Sequence, residues 1–550
     1  MYGRLRRALP LALALVFFAP RAWAQLSPNL LLRHRLGGGV PQLRPKAAGI
    51  PETQGTAKPT TQGSIPEFVL RKVALRGNGS MPLDRLAVAW RGAIGHPVTG
   101  PLVAGIMAAM GRIYAGSGVA LYAISLPPQN FAGGVLAIQV TEGYVAGVTI
   151  EGNVDGAPIT LLRTYAARII ADRPLRTSTL QRNLLLMRQI PGLTVGSALH
   201  PIPGQPGAER LVLGILRKPI EGGIGINNQG TPLLDVVQTT ANLTVNGLLR
   251  QGEQDQLVFG APLTFRRYQY FGYSHREPIG DNGASVTFSI GDLITHPVGE
   301  VNSGTAQIAS LRFSDPLILG VTRSLVASVE ADYLNSASAL FGTTVSDERT
   351  RVLRAGLAYS RAGDWNGIDA LDVTASEGFS LLGARQANAA LGGPAFAKLD
   401  VAAVRLQALP WGFVATLRAS GQVTPDHLPA SEQFLVGGPV FGQAFDAGAL
   451  AGDDGLAFVF DLAHPIPSPL PPAYLAAPKV FVFADWGRIW NVHTPYEIAS
   501  DTGASAGAGV SFTLLRKLHL KIGVATPLDR PREVASIQRW KFLFAVAGRF

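Results

Sequence analysis

Cysteine is absent from this 550-residue chain. Without thiols the protein can form neither disulfides nor thiolate metal sites, which suits a chain that crosses an oxidising compartment. Charged residues are also few, at 15% against 47% hydrophobic residues, while glycine is abundant at 63 residues. This charge density is low for a soluble chain of this size, yet the apolar residues are dispersed rather than gathered in blocks.

Apolar runs of the roughly 20 residues that a membrane-spanning helix needs are missing as well. The run from Ala8 to Ala19 follows three arginines and precedes Ala22-Trp23-Ala24. This layout predicts a secretory signal peptide, residues 1–24, cleaved after Ala24; an uncleaved anchor is the weaker alternative because the run is short. If the mature protein lies in a membrane, it must do so as a closed β-barrel, because only barrels and helices satisfy the backbone there.

Motifs for catalysis and nucleotide binding are also lacking, since the chain contains neither H-E-x-x-H nor G-x-x-x-x-G-K-[ST]. Residues 503–507 match G-x-S-x-G, but they open an alternating run instead of a strand–turn–helix, which argues against a nucleophilic Ser505. The nine histidines, among them His96, His200 and His275, show no metal-ligand spacing. We therefore predict no enzymatic activity, no cofactor and no metal.

The net charge of +11 raises the question of nucleic-acid binding. No nucleic-acid motif is present, and the signal peptide would remove the chain from the cytoplasm. Arginines that line the lumen of a barrel account better for the excess, so nucleic acid is not an expected partner.

The last eleven residues, Trp540 to Phe550, carry the clearest positive signal. Every second residue from Trp540 to Val546 is large and apolar, and the chain stops on an aromatic. Such a pattern marks a strand whose two faces meet different surroundings, and the aromatic end fits the interfacial girdle of a membrane barrel. The last strand of a soluble sandwich would alternate too, and this alternative stays open on the segment alone.

Residues 220–550 show the same alternation, broken by Gly, Pro, Asn and Asp. In 284–290, Val286, Phe288 and Ile290 point to one side and the serines and threonine between them to the other. One face suits lipid and the other a wet lumen. At about 20 residues per strand with its connection, the region allows about 16 antiparallel strands.

Residues 67–219 read instead as two α+β units of the order β-α-α-β-β, 67–144 and 145–219, which together form an internal repeat. The first unit has strands predicted at 68–76, 120–125 and 135–141, with helices at 83–94 and 102–114. The second has strands at 145–151, 194–200 and 210–216, with helices at 159–171 and 177–189. Residues 25–66 precede them as a short helix near Ser27 to Leu36 followed by a flexible linker.

Three motifs carry a resemblance to a known family. Residues 126–143, 184–192 and 226–230 are similar to the P-P-Q…G-x-L…E-G, L…P-G and D-N-x-G segments of two-partner secretion (TpsB) transporters, the haemolysin secretion/activation exporters of Gram-negative outer membranes. The matching positions are Pro127, Pro128, Gln129, Gly134, Glu142, Gly143, Pro191, Gly192, Asn228 and Gly230. The resemblance implies two periplasmic POTRA domains and an outer-membrane transmembrane β-barrel. We expect the POTRA residues to set turns and strand ends more than to contact cargo.

The resemblance also implies a loop folded into the barrel lumen, whose motif falls on Gly442, Gln443, Ala444, Phe445 and Asp446. In the family an arginine at this tip pairs with an aspartate of an F-x-D-x-G strand motif, here Phe483, Asp485 and Gly487. Here Gln443 occupies the arginine position. We expect its side-chain amide to bond Asp485 more weakly than a charged group would, unless another arginine such as Arg488 has replaced it.

The implied function is export of a large exoprotein, an adhesin or haemolysin-like partner, through a monomeric pore in outer-membrane lipid. The alternative is an outer-membrane protein assembly factor of the BamA type, although that branch usually carries more POTRA units. The terminal aromatics, Trp540, Phe542, Phe544 and Phe550, resemble the signal read by the barrel assembly machinery. We expect the last strand to close the barrel against a first strand at 238–246, and residues 25–36 to plug the pore.

Overall fold

The computed structural model describes residues 67–77, 79–298, 302–340, 343–387, 392–492, 498–532 and 539–550. The predicted signal peptide, plug segment and linker lie outside these residues. The described chain divides into two compact units, one formed mainly by residues up to 218 and the other by the residues from 219 onward. Each is considered separately below.

The first repeat consists of β1 (Lys72–Arg76), α1 (Leu83–Ala87), α2 (Gly100–Ala115), β2 (Tyr122–Ser125) and β3 (Val135–Glu142). β3 lies in the centre of the sheet, parallel to β1 and antiparallel to β2. Helix α2 begins at Thr99, whose hydroxyl accepts from the N–H of Leu102, and buries one apolar stripe against the sheet. The helix predicted at 83–94 ends early, at Ala87, and a 3₁₀ turn at 91–93 that contains Gly92 follows it.

The second repeat has the same order: β4 (Tyr144–Gly152), α3 (Ile159–Ala171), α4 (Thr177–Arg188), β5 (Leu193–Pro201) and β6 (Ala208–Arg217). Its sheet order, β4-β6-β5, repeats the β1-β3-β2 order of the first. The two repeats are joined by backbone bonds, because the N–H of Leu175 donates to the carbonyl of Gly143 at 3.0 Å and the N–H of Ala120 donates to the carbonyl of Leu175 at 2.7 Å. The predicted β-α-α-β-β repeat is confirmed.

The second unit is a closed antiparallel barrel of 16 long strands, with a two-residue strand β16 (Arg385–Gln386) inserted beside them, so the expected count is confirmed. The strands are β7 (Ile220–Asn227), β8 (Gln238–Asn246), β9 (Gln254–Pro262), β10 (Tyr268–Ile279), β11 (Ala284–Thr295), β12 (Asn302–Leu319), β13 (Arg323–Leu340), β14 (Thr343–Ala362), β15 (Gly367–Gly378), β17 (Phe396–Ala408), β18 (Val414–Val423), β21 (Asp454–Pro465), β22 (Leu475–Trp490), β23 (Ser500–Leu514), β24 (Leu518–Asp529) and β25 (Lys541–Arg549). A small hairpin, β19 (Phe434–Val436) and β20 (Leu450–Gly452), forms a separate two-stranded sheet that is not part of the barrel sheet.

The two faces of the strands differ as the alternation predicts. Phe288 and Ile290 on β11 are each 42% exposed on the outer face, whereas Ser285 on the opposite face is buried. Within the part of the chain that the structure describes, no helix is both long and apolar enough to cross a bilayer.

The barrel closes between β25 and β7, and the prediction that β25 would pair with residues 238–246 is wrong. The strand at 238–246 is β8, the neighbour of β7 on its other side. On β7, Gly222 interrupts the row formed by Ile220, Ile224 and Ile226, and Gly223 and Gly225 leave the other face small, so the alternation is weak. The glycines allow a close approach at the seam: a Cβ at Gly223 would lie 2.6 Å from Asn242 Oδ1, and one at Gly222 would collide with the ring of Phe550.

Candidate functional site: the lumen loop

The connection between β18 and β21, residues 424–453, is the lumen loop. Most of its side chains are buried, including Leu428, Val436 and Leu450, which are fully buried. Its tip turns at Gly437, Gly438 and Gly442, all with positive φ, and a Cβ at Gly437 would lie 2.9 Å from the N–H of Ala449. Only glycine accommodates this backbone without strain.

The tip is held by Asp485 on β22 and Ser505 on β23. The backbone N–H of Gln443 donates to Asp485 Oδ2 at 3.1 Å, and the Ser505 hydroxyl donates to Asp485 Oδ1 at 2.6 Å. Ser505 Oγ in turn accepts from the N–H of Ala444 at 3.3 Å. Asp485 and Ser505 are paired across the two strands, so the barrel presents them together. Ser505 lies in the middle of a strand and holds the loop, which is not the setting of a nucleophile.

The expected bond from the Gln443 side chain to Asp485 is therefore wrong, because the main chain makes this contact. The side chain is 3% exposed, and its Oε1 makes no hydrogen bond within the described structure. Arg488 has not replaced the missing arginine either: it lies on the opposite face of β22, donates to Ser500 and covers the ring of Trp490. The buried Asp485 carboxylate has no cationic partner among the described residues.

A cation does reach the tip from another strand. Lys541, the first residue of β25, donates from Nζ to the carbonyl of Phe445 and to Asp446 Oδ1, both at 2.9 Å. It lies opposite the fully buried Ala525, on the inner face. The sequence analysis missed this residue; the signal was a lone lysine within an apolar alternating strand, placed on the face away from Trp540 and Phe542.

The other motif residues of the β22 strand make room for the loop. A Cβ at Gly487 would lie 2.7 Å from the Val436 side chain, so the glycine allows the β19 hairpin to pack on the wall. Phe483 is buried, with its ring stacked near Phe481. A Cβ at Gly503 on β23 would similarly lie 2.9 Å from the ring of Phe445. The motif glycines thus mark where the loop contacts the barrel.

The base of the loop is anchored through Glu432, which the sequence analysis did not identify. Its carboxylate accepts from Arg354 Nη2 of β14 at 2.7 Å and lies 3.0 Å from Lys398 Nζ of β17. Arg354 also pairs with Asp332 of β13 at 2.6 Å. Glu432 and Lys398 are almost completely buried. Charges on the inward positions of separate strands meet only once the barrel closes, so spacing along the chain gives no sign of the cluster.

The POTRA motif residues build turns and strand ends. The side chain of Gln129 continues the hydrogen bonding of β3 beyond the end of β2. Its amide makes two hydrogen bonds with the backbone of Ala137, at 2.7 and 2.8 Å. Glu142 accepts from the hydroxyls of Ser80 and Tyr114. Burial of the Tyr114 phenol, together with its bond to Glu142, raises the pKa of Tyr114.

Close backbone approaches explain the motif glycines of these repeats. Gly134 and Gly192 have positive φ, and a Cβ at Gly143 would lie 2.7 Å from the Cβ of Leu121. Pro127 and Pro128 fall in the connection between β2 and β3, and Pro191 precedes β5. A direct role of any of these residues toward cargo stays a prediction.

Asn228 and Gly230 directly follow β7, the first strand of the barrel along the chain. Asn228 joins the end of β7 to β25 at the closure of the barrel. Its Nδ2 donates to the carbonyl of Phe542 at 2.7 Å, and its Oδ1 accepts from the N–H of Phe544 at 2.8 Å. Trp540, Phe542 and Phe550 are more than half exposed. The aromatic end thus lies beside the seam.

His275 belongs to a group of side chains that the sequence does not indicate. The sequence shows no metal-ligand spacing, but the barrel brings His275 of β10 to within 3.4 Å of Glu253 and 3.0 Å of Asp255. His275 and Asp255 are 20 positions apart and face each other across two strands. Among the described residues, His96 and His200 belong to no such group.

A 16-stranded barrel with a loop anchored in its lumen, preceded by two POTRA repeats, defines the outer-membrane transporters that carry POTRA domains. Residues 216–512, more than half of the chain, match the model of the haemolysin secretion/activation protein family ShlB/FhaC/HecB, and residues 68–143 match the ShlB-type POTRA domain. The chain belongs to this family. It is a two-partner secretion transporter of the outer membrane, with its POTRA domains in the periplasm.

Similar proteins agree with this assignment. The heme/hemopexin transporter protein HuxB of Haemophilus influenzae is 22% identical over 493 residues, 84% of either chain. The structure of CdiB from Escherichia coli superposes with a TM-score of 0.71 at 19% identity, over 96% of this chain and 98% of that one. CdiB from Acinetobacter baumannii gives 0.60 at 15% identity, over 95% and 96%. These two likenesses show the fold.

Proposed function

We propose that this transporter captures one large, unfolded exoprotein through its POTRA domains and passes it through the barrel when the tip of the lumen loop is released. The observation that carries the proposal is the asymmetric anchoring of that loop, buried in the lumen and held at its tip mainly by neutral hydrogen bonds. A wall-attached loop with weak tip contacts can act as a gate. The partner is an adhesin or a haemolysin-like exoprotein.

The capture surface is the free edge of β5. This strand pairs with β6 on one side and has no strand partner on the other within the described residues. Arg188 Nε donates to the carbonyl of Val195 at 3.0 Å from the free side, so the backbone groups of Val195, Ser197 and Leu199 point outward. An extended chain can add to such an edge by main-chain bonds without its sequence being read closely.

Comparison of culture supernatants from wild-type and deletion cells tests the transport function. Loss of one large secreted protein supports the proposal and identifies the cargo. General loss of outer-membrane proteins would indicate an assembly factor of the BamA type instead, and a defect confined to solute uptake would indicate a porin.

A single substitution tests the capture surface. Ser197→Pro removes an outward N–H and leaves the β5–β6 ladder intact, whereas Ser197→Ala keeps that N–H. We expect secretion to fall several-fold in Ser197→Pro and to stay normal in Ser197→Ala, with equal channel conductance in planar bilayers. Equal secretion by the two variants would refute capture at this edge.

The remaining partners are proposals of the same kind. We propose that the pore is monomeric, that the outer aromatic face contacts outer-membrane lipid, and that the barrel assembly machinery recognises the strand ending at Phe550. The exposure of Trp540, Phe542 and Phe550 supports this recognition.

A further inference from the structure

Two acidic residues and one histidine form a cluster outside the lumen loop, where β8, β9 and β10 run side by side. Asp255 lies on β9 directly opposite His275 on β10, and Glu253 ends the connection that precedes β9. His275 Nδ1 lies 3.0 Å from Asp255 Oδ1 and 3.4 Å from Glu253 Oε2. One ligand atom from each of the three residues lies within 4.8 Å of the others.

Both carboxylates are oriented by hydrogen bonds from the protein, and each has one buried oxygen without a hydrogen bond. Glu253 Oε1 accepts from the N–H of Leu249 at 3.0 Å, and Asp255 Oδ1 accepts from the Tyr273 hydroxyl at 2.6 Å. Glu253 Oε2 and Asp255 Oδ2 are buried and make no hydrogen bond in the described structure. The exposed fractions are 0% for Glu253 and 6% for Asp255, so water does not solvate these oxygens. Buried acceptors without a hydrogen bond are explained by a bound water or a bound ion.

The charge balance of the cluster favours a bound cation. No lysine or arginine among the described residues pairs with either carboxylate, and the nearby Arg250 pairs with Glu277 at 3.0 Å. The cluster lies on the outer face of the barrel, because the neighbouring Leu257 and the facing Phe288 are 38% and 42% exposed there. Two unneutralised carboxylates next to lipid are unfavourable, whereas a divalent cation with a neutral imidazole brings the net charge to zero.

We propose that Glu253, Asp255 and His275 bind one divalent transition-metal ion, with zinc the best match to this nitrogen and oxygen donor set. Metal–ligand bonds of about 2.1 Å place neighbouring ligand atoms roughly 3.0–3.4 Å apart, which is the spacing observed around His275 Nδ1. Tyr273 and the N–H of Leu249 orient the carboxylates, and Glu277 lies 3.7 Å from His275 Nε2, where it can orient the ring. The ion would tie β9 to β10 and to the connection from β8.

Zinc titration of the full-length protein in detergent, after treatment with a chelator and in competition with a chromophoric chelator, tests the site. We expect one zinc ion per chain and at least tenfold weaker binding in each of Glu253→Gln, Asp255→Asn and His275→Ala. His464→Ala is the matched control, since His464 lies on β21, away from the cluster, where its ring packs against Phe413 and its Nε2 bonds the carbonyl of Trp411. Heat-modifiable migration in gels verifies that each variant is folded.

Two results would overturn the proposal. Wild-type protein that binds no zinc would exclude a metal site at these three residues. Stoichiometric zinc binding that survives all three substitutions would place the ion elsewhere. Glu253→Gln and Asp255→Asn keep the shape of the side chains, so loss of binding in these folded variants is a loss of ligands.

Discussion

Replacing Gln443 by arginine should tighten the tip of the lumen loop. Asp485 is 4% exposed and is held only by neutral donors, the N–H of Gln443 at 3.1 Å and the hydroxyl of Ser505 at 2.6 Å. A neutral hydrogen bond contributes about 1 kcal/mol, and a bond to a charged group about 1.5–3 kcal/mol. The backbone N–H of residue 443 keeps its bond in this variant, so the guanidinium adds a charge-assisted bond. After the cost of burying its charge, we expect a gain of about 1 kcal/mol for the closed loop, equivalent to a roughly fivefold lower ratio of open to closed states.

Single-channel recording in planar lipid bilayers measures this ratio directly. Gln443→Arg should open roughly fivefold less often and secrete its partner more slowly. Gln443→Met should behave like the wild type, because the Gln443 side-chain oxygen makes no hydrogen bond. Combining Gln443→Arg with Asp485→Asn should remove the gain, as a double-mutant cycle requires. A folded Gln443→Arg protein with wild-type opening frequency and secretion rate would refute the reasoning.

Three further changes test the seam and the loop base. Asn228→Ala loses two hydrogen bonds to β25 and should lower the stability of the barrel by about 2 kcal/mol. The barrel should then unfold at a lower temperature in heat-modifiable gel migration, whereas replacement of the exposed Asn242 by alanine should leave that temperature unchanged. Glu432→Ala removes the carboxylate 3.0 Å from the buried Lys398, whose other acidic neighbour, the more exposed Asp400, lies at 3.4 Å. It should lower the free energy of unfolding in urea by about 3 kcal/mol, against under about 1 kcal/mol for the more exposed Asp369→Ala. Deletion of Phe550, which exchanges two bonds of 3.0 Å with Gly222, should lower the amount of assembled barrel before it lowers transport per barrel. Unchanged behaviour in any of these would contradict the role assigned to that residue.

Local patterning was enough to predict most of the fold. The helix over Ile159–Ala171 and the strand beginning at Val135 follow from apolar periodicity and turn residues, which act over a few positions. β7 was missed for the same reason, since Gly222 interrupts its row of isoleucines and two further glycines weaken the contrast between its faces. The error in the seam followed from that single missed strand.

The residues of the lumen-loop site could be predicted only where they belong to a sequence motif. The family motif names Asp485 and the loop tip, but the contact made by Gln443 was not predicted, because a backbone N–H carries no sequence signature. Glu432 and Lys541 reach their partners across strands more than 30 and 90 positions away along the chain. Barrel closure creates these contacts, so spacing in the sequence cannot indicate them.

The two ends of the lumen loop differ in strength, and this difference predicts how the gate opens. At the base, the buried Glu432 joins two cations, and such an arrangement is costly to break. At the tip, the one charged contact joins Lys541 to Asp446, whose side chain is 41% exposed, so it is worth at most about 1 kcal/mol. The tip should therefore leave the wall first, with the base as the hinge.

Engineered cysteines test this order cleanly, because the chain has none of its own. Ala444→Cys with Ser505→Cys should lock the tip, since the Ala444 N–H lies 3.3 Å from Ser505 Oγ, and should stop secretion until a reductant is added. Thr424→Cys with Ala397→Cys joins the loop base to β17, where Thr424 Oγ1 donates to the carbonyl of Ala397 at 2.7 Å, and should leave secretion unchanged. The opposite result would contradict this order. If the base cross-link stops secretion and the tip cross-link does not, the base must move for cargo to pass, and the tip would be the hinge.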